Sequence, residues 1–176
     1  MSTPYGGYVL PKRPNGATAI IAGILALGLA FVLGYLPVRY FIDMPSGFGL
    51  GDLPGELLTM LGLYLAAAIF LLIGALVTFL RALTGAVLLL IGALLTLAAV
   101  LLEPALMYHG DFGTYFQLVF EFELDDASFV RAAGLVFGPI TFFLTVLPPT
   151  FRYLRFQPSM VPAYGPPPEY PRQQGW

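Results

Sequence analysis

One continuous apolar stretch constrains the fold of this chain more than any other feature. It runs from Leu57 to Leu102, and Arg81 is its only charged residue. A single straight helix of this length would extend for about 69 Å, more than twice the roughly 30 Å of a bilayer's hydrocarbon core. The stretch must therefore fold back on itself. We expect the turn at Arg81, because a charge left at the centre of the bilayer costs about 2.5–3.5 kcal/mol.

The composition indicates that lipid, not water, surrounds most of the chain. Of its 176 residues, 58% are hydrophobic and 10% are charged, whereas about 25% of the residues of a soluble domain are charged. The chain has no cysteine, which excludes disulfides, thiolate metal sites and thiol catalysis. Its single histidine excludes a haem held by two histidines of one chain.

The hydropathy pattern predicts an all-α membrane protein with a bundle of four transmembrane helices. The first span ends at Pro37, and Pro139 lies inside the fourth and is expected to kink it. The predicted spans are residues 17–36, about 57–79, 84–102 and 128–147. Together they form a transmembrane domain over residues 17–150, flanked by a flexible cytoplasmic tail (1–16) and by a cytoplasmic anchor with a Pro-rich tail (151–176).

The distribution of charge predicts a plasma-membrane protein with both termini in the cytoplasm. In that orientation the inner side holds six of the eight basic residues: Lys12, Arg13, Arg81, Arg152, Arg155 and Arg172. This excess is what the positive-inside rule requires. Nine of the ten acidic residues then lie outside, together with Arg39 and Arg131. We expect these arginines to pair with outer carboxylates; the alternative is that they extend to lipid phosphates.

Small residues recur at four-residue spacing on two of the predicted spans. One stripe lies on the first span and a Gly-x-x-x-Gly pair lies on the fourth: Ala22, Ala26, Ala30 and Gly34, then Gly134 and Gly138. Small side chains let helix backbones approach closely within lipid. We interpret them as packing positions inside the chain's own bundle; the alternative is an interface with a second copy or with a partner.

The second outer loop, residues 103–128, is too long for a simple turn. Apolar and polar residues alternate between Phe116 and Leu124, which predicts a half-buried strand or an interfacial segment. The loop either caps the bundle or offers a contact surface to a partner or a lipid. The candidate contact residues are Glu103, His109, Asp111, Glu121 and Glu123.

The sequence contains no pattern that predicts a reaction, a cofactor or a metal site. His109, Asp111 and Glu103 do not have the spacing of a zinc site, and we interpret His109 as a solvated loop residue. No basic aromatic stripe for nucleic acid is present. The middle of each predicted span also lacks the ionisable residues that proton relays and ion-coupled carriers need.

Both tails are rich in Pro, Gly and Tyr, as in Tyr5-Gly-Gly-Tyr8 and Tyr164-Gly-Pro-Pro-Pro-Glu-Tyr170. In the composition of its tails and in its number of spans, the chain resembles small four-span membrane proteins of actinobacteria. The resemblance implies a membrane location and no particular activity.

Two functional hypotheses lead, and an intramembrane enzyme comes third because no acid–base pair can be placed at membrane depth. The first is a non-enzymatic accessory or scaffold subunit of a plasma-membrane complex, with a membrane-protein partner or a homo-oligomer as its context. The second is a carrier or binding protein for a lipid or another apolar small molecule. The second hypothesis requires a cavity between the spans, whereas a solidly packed bundle would exclude it.

Overall fold

The computed structural model describes residues 15–45, 49–120 and 126–155. Within these ranges the chain is helical and contains no strand. The helices are α1 (Ala17–Ile42), α2 (Gly55–Phe79), α3 (Leu83–Met107), α4 (Phe112–Phe120), α5 (Asp126–Val146) and α6 (Pro148–Arg155), and a short 3-10 helix (Leu50–Asp52) precedes α2.

Four of these helices, α1, α2, α3 and α5, are long and apolar enough to cross a membrane. The chain is therefore a multi-pass membrane protein, and the predicted four-helix bundle is confirmed. Each spanning helix packs on two others, so that α1 contacts α2, α2 contacts α3, α3 contacts α5, and α5 returns to α1. Their outward faces carry large apolar side chains such as Phe31, Leu76 and Phe143, which is the surface that lipid tails require.

The two ends of the bundle differ in charge. One end, called here the arginine end, contains the start of α1, the turn between α2 and α3, and α6. Thr150 Oγ1 lies 3.0 Å from Thr18 Oγ1, and the Arg81 guanidinium lies 5.2 Å from the centre of the Tyr153 ring. The other end, the carboxylate end, contains the ends of α1 and α3, the starts of α2 and α5, and α4. Its described charged side chains are Asp43, Asp52, Glu56, Glu103, Asp111, Arg39 and Arg131.

The helix α1 continues through Pro37 to Ile42, whereas the sequence predicts an end at that proline. Pro37 removes only one intrahelical hydrogen bond, to the carbonyl of Leu33. Transmembrane helices tolerate such a loss, because neighbouring groups and local adjustments satisfy the freed carbonyl. The helix α3 likewise contains Pro104 and runs on to Met107.

Of the two forms predicted for the second outer loop, a strand or an interfacial segment, the strand does not occur in the described part of that loop. Residues 112–120 form the short helix α4, which buries Tyr115 and Val119. These two residues are four apart and therefore share one face of a helix. A short run of alternating apolar residues does not distinguish a strand from a helix. The alternation continues through residues 121–125, which lie outside the described ranges.

The turn between α2 and α3 lies at Arg81, as the sequence predicts. Arg81 has a φ of 60°, a left-handed conformation that reverses the chain within three residues. The two helices then run side by side with glycine at their closest contacts. A Cβ added to Gly74 would lie 2.8 Å from the backbone nitrogen of Leu89, and one added to Gly92 would lie 2.9 Å from that of Leu71.

We therefore expect Gly74→Ala to destabilise the bundle by about 1–3 kcal/mol, the usual cost of overpacking against atoms that cannot move aside. The matched control is Gly62→Ala on the same helix, where a Cβ would have no neighbour within 4 Å. That change is expected to be neutral or slightly stabilising, because alanine favours helix. Thermal unfolding of the purified protein in detergent distinguishes the two. Equal melting temperatures would contradict the close approach of α2 to α3.

Candidate functional site

The carboxylate of Glu103 is buried inside the bundle at the carboxylate end. Glu103 lies on α3, one turn before the helix ends, and only 7% of its side chain is exposed. An isolated ionised carboxylate is costly in such surroundings unless charged or hydrogen-bonding groups compensate it. The structure supplies that compensation from three other helices.

The principal partner of Glu103 is Arg131 on α5. Arg131 Nε donates to Glu103 Oε1 over 2.8 Å, and Nη2 lies 2.7 Å from the same oxygen. The Arg131 side chain is 19% exposed, so the ion pair is largely removed from water. The sequence-based expectation that Arg131 pairs with a carboxylate of the outer side is confirmed.

Two tyrosines donate hydrogen bonds to the second carboxylate oxygen of Glu103, Oε2. The Tyr64 hydroxyl on α2 donates to Oε2 over 2.7 Å, and the Tyr115 hydroxyl on α4 donates to the same atom over 3.4 Å. Burial, and after it the charge of Glu103, raises the pKa of Tyr115 above its usual value. Tyr115 therefore stays protonated and remains a hydrogen-bond donor at all physiological pH values. We call these four residues, Glu103, Arg131, Tyr64 and Tyr115, the Glu103 cluster.

The start of α4 is set by Asp111, which fixes the position of Tyr115. Asp111 Oδ1 accepts a bond of 3.1 Å from the backbone N–H of Thr114, and Oδ2 accepts one of 2.7 Å from the Thr114 hydroxyl. These are the contacts of a helix N-cap. They lower the pKa of Asp111, the Thr114 hydroxyl contributing most, so the cap remains ionised at neutral pH.

A cavity of about 600 Å³ lies against the Glu103 cluster. This volume is within the range of small-molecule sites in proteins, roughly 300–1,000 Å³. Its walls are mainly apolar: Leu36, Pro45, Leu53, Leu57, Met60, Leu61, Met44 and Met107. Its polar lining comprises Glu103, Arg131 and Tyr64 together with Arg39, Asp43, Tyr35 and Tyr40.

The cavity lies where α1 leaves the packed bundle. Pro37 is buried, but every residue from Val38 to Ile42 is exposed. Arg39 and Asp43 form an ion pair in this segment, Nε to Oδ2 at 3.3 Å, with 50% and 67% of their side chains exposed. These exposed residues mark the mouth of the cavity, and the Glu103 cluster forms its floor.

The small residues singled out in the sequence lie within or beside the core. Ala22, Ala26 and Ala30 are buried, and a Cβ on Gly34 would lie 3.5 Å from Ala68. On α5, a Cβ on Gly134 would lie 2.8 Å from Val100, and one on Gly138 would lie 3.3 Å from Thr96. Whether these positions also serve an interface between chains stays a prediction.

The five candidate contact residues of the second outer loop do not form one site. Glu103 lies in the floor of the cavity, whereas His109 and Asp111 are exposed in the turn before α4. Glu121 and Glu123 lie outside the described residues. No group of three His, Cys, Asp or Glu side chains that could hold a metal ion occurs among residues 15–45, 49–120 and 126–155.

Sequence reasoning missed the Glu103 cluster, although its members were visible as individual residues. Glu103 is followed by a proline, which predicts a helix end and therefore a loop residue. The signal that could have located it is Tyr64, a large polar residue inside an otherwise apolar span. A buried tyrosine hydroxyl usually requires a partner, and an acidic residue near the end of the next span is a suitable one.

Comparisons of the chain with protein families, with curated proteins and with solved structures find no match. The resemblance to actinobacterial membrane proteins therefore stays a prediction.

We expect Glu103→Gln to destabilise the protein by about 3–5 kcal/mol, because it leaves the largely buried guanidinium of Arg131 without a counter-charge. The control is Asp43→Asn, which breaks an ion pair at the mouth and should cost less than about 1 kcal/mol. Thermal unfolding in detergent measures both changes. The double variant Glu103→Gln/Arg131→Gln should recover part of the loss, since neither charge then remains. A Glu103→Gln protein as stable as Asp43→Asn would contradict the role assigned to the pair.

Proposed function

We propose that this protein binds a lipid-like amphiphile in the cavity at its carboxylate end. The observation that carries the proposal is the combination of apolar walls and a charged floor in one cavity of about 600 Å³. Apolar walls favour hydrocarbon, since burial stabilises by about 25 cal/mol per Å² of apolar surface. A few convergent polar groups then orient the ligand and select it.

The contrast between the buried floor of the cavity and its exposed wall also supports binding. The floor is held from four helices, because Glu103 on α3 bonds to residues of α2, α4 and α5. The wall formed by α1 beyond Pro37 is exposed, from Val38 to Ile42. A fixed floor beside an exposed wall leaves the cavity accessible to a long ligand.

We propose further that the protein lies in the plasma membrane with both termini in the cytoplasm. This orientation rests on the positive-inside rule. In the structure, Arg81, Arg152 and Arg155 lie together at the arginine end, and the described acidic side chains lie at the other. The cavity then opens on the outer side of the membrane.

The accessory-subunit function stays a prediction beside this proposal. An accessory subunit would act together with a membrane-protein partner or a second copy of the chain. This function would not involve the cavity. Purification distinguishes the two functions, because an accessory subunit retains a protein at fixed stoichiometry and a lipid-binding protein retains a lipid.

We expect the protein, purified in a mild detergent, to retain a lipid that native mass spectrometry detects at about one per chain. Leu57→Trp should reduce this retention roughly tenfold or more, because the indole would occupy a cavity that Leu57 lines. The matched control is Leu58→Trp, the next residue on α2, which is exposed and does not line the cavity.

If Leu57→Trp and Leu58→Trp reduced lipid retention equally, the lipid would bind elsewhere, and the proposal would be overturned. A protein partner at fixed stoichiometry, with no retained lipid, would favour the accessory-subunit function instead.

Because the chain has no cysteine, single introduced cysteines report its orientation directly. We expect Asp111→Cys to react in intact cells with a thiol reagent that cannot cross the membrane, and Arg155→Cys to react only after the cells are opened. Both residues are exposed in the structure, so accessibility depends on the side of the membrane. The reverse pattern would contradict the proposed orientation.

A further inference from the structure

The short helix α4 carries more apolar side chains than the bundle buries. Its nine residues include no charged residue. Tyr115 and Val119 are buried, whereas Phe112, Leu118 and Phe120 are exposed. A helix of this length is marginal in water and depends on contacts of its apolar side. The bundle covers one part of that side, and the other part faces outward.

The phenylalanines of α4 lie on one face of the helix. Phe112, Phe116 and Phe120 are spaced four residues apart and therefore form a single stripe along it. Successive helical residues are rotated by about 100°, so this stripe lies beside the buried face. Thr114 and Gln117, both exposed, occupy the side opposite the buried face. The helix thus has a face for the bundle, an aromatic face beside it and a polar face.

The turn before α4 keeps the helix close to the end of a spanning helix. Four residues, 108–111, separate α4 from α3, and five, 121–125, separate it from α5. The backbone N–H of Gly110 donates to the carbonyl of Pro104 on α3, so the turn folds back against that helix. The nine residues of α4 therefore lie beside the ends of two spans, where the chain leaves the membrane.

The spanning helix on which α4 packs carries an outward apolar stripe that begins at the same end. The helices α4 and α5 are in contact. Phe129, in the first turn of α5, is 63% exposed, and Val136 and Phe143 are exposed as well. Their seven-residue spacing places these three residues on one face of α5. Lipid covers the outward apolar faces of the spans, so lipid is also adjacent to α4.

We infer that α4 is an interfacial helix that lies in the head-group region of the bilayer, with Phe112, Phe116 and Phe120 directed toward the acyl chains. Amphipathic helices with phenylalanine and leucine on their apolar face bind membranes in this way. Because α4 has no charged side chain, its insertion does not remove a charge from water. The inference goes beyond the proposed function and does not depend on it, since α4, which is described in full, contributes no residue to the lining of the cavity.

The aromatic face of α4 is in direct contact with the Glu103 cluster. The rings of Phe116 and Tyr115 meet edge to face, with their centroids 5.5 Å apart. The Tyr115 hydroxyl in turn donates to Glu103. Contact of Phe116 with lipid therefore helps to hold Tyr115 against the buried carboxylate.

Nitroxide labels locate each face of α4, because the chain has no cysteine of its own. The full-length variants Phe112→Cys, Phe120→Cys and Gln117→Cys are labelled singly and reconstituted into vesicles of dioleoyl phosphatidylcholine. Collisions of each label with oxygen, which dissolves in lipid, and with a water-soluble nickel chelate are then measured. Phe31→Cys on the outward face of α1 is the reference for lipid, and Glu56→Cys, exposed at the start of α2, is the reference for water.

We expect the labels at positions 112 and 120 to have an oxygen-to-nickel collision ratio several-fold higher than the label at position 117. Their ratios should lie between those of the two references, because an interfacial helix is buried only to the boundary between head groups and acyl chains. Gln117→Cys is the matched control, since it is exposed on the same helix but lies on its polar face.

Two outcomes would overturn the inference. Equal collision ratios at positions 112, 117 and 120, close to that of Glu56→Cys, would place the whole of α4 in water. Labels at positions 112 and 120 that neither reagent reaches would show that a protein partner or a second copy covers the aromatic face. If Phe112→Cys fails to fold, as its melting temperature would reveal, the comparison of Phe120→Cys with Gln117→Cys still decides the question.

Discussion

The bundle depends on the compensation of one buried negative charge. Glu103 lies among helices that lipid surrounds, and an uncompensated carboxylate there would cost more than a small membrane domain could tolerate. Arg131, Tyr64 and Tyr115 surround it with donors. Because Glu103 and these three partners come from four helices, their hydrogen bonds also fix how α2, α3, α4 and α5 lie relative to one another at the carboxylate end.

The same arrangement explains why α1 is the helix that borders the cavity. It contributes no residue to the Glu103 cluster, and its last buried residue is Pro37. Toward the arginine end, by contrast, α1 is held by close packing of Ala22, Ala26 and Ala30. One spanning helix is thus fixed at one end and exposed at the other, and the space beside its exposed end is the cavity.

The sequence predicts those parts of this structure that depend on local physics. Hydrocarbon thickness determines the number of spans, and the cost of a charge in lipid determines that the chain turns at Arg81. The close contacts of Gly74 and Gly92 were not predicted, because the facing residue of each is known only once the register of α2 against α3 is known. The Glu103 cluster escaped prediction for the same reason, since its four members come from separate segments of the chain.

Stability alone does not explain an ion pair in this position. Apolar residues of similar volume can often replace a buried pair at no cost, because the attraction between the charges roughly offsets their loss of hydration. The pair of Glu103 and Arg131 nevertheless provides something that apolar residues would not. It holds a guanidinium at a fixed place in an apolar cavity, with one edge committed to the protein and other donors available. A lysine would satisfy Glu103 as a point charge, whereas the planar fork of arginine can serve the protein and a ligand at once.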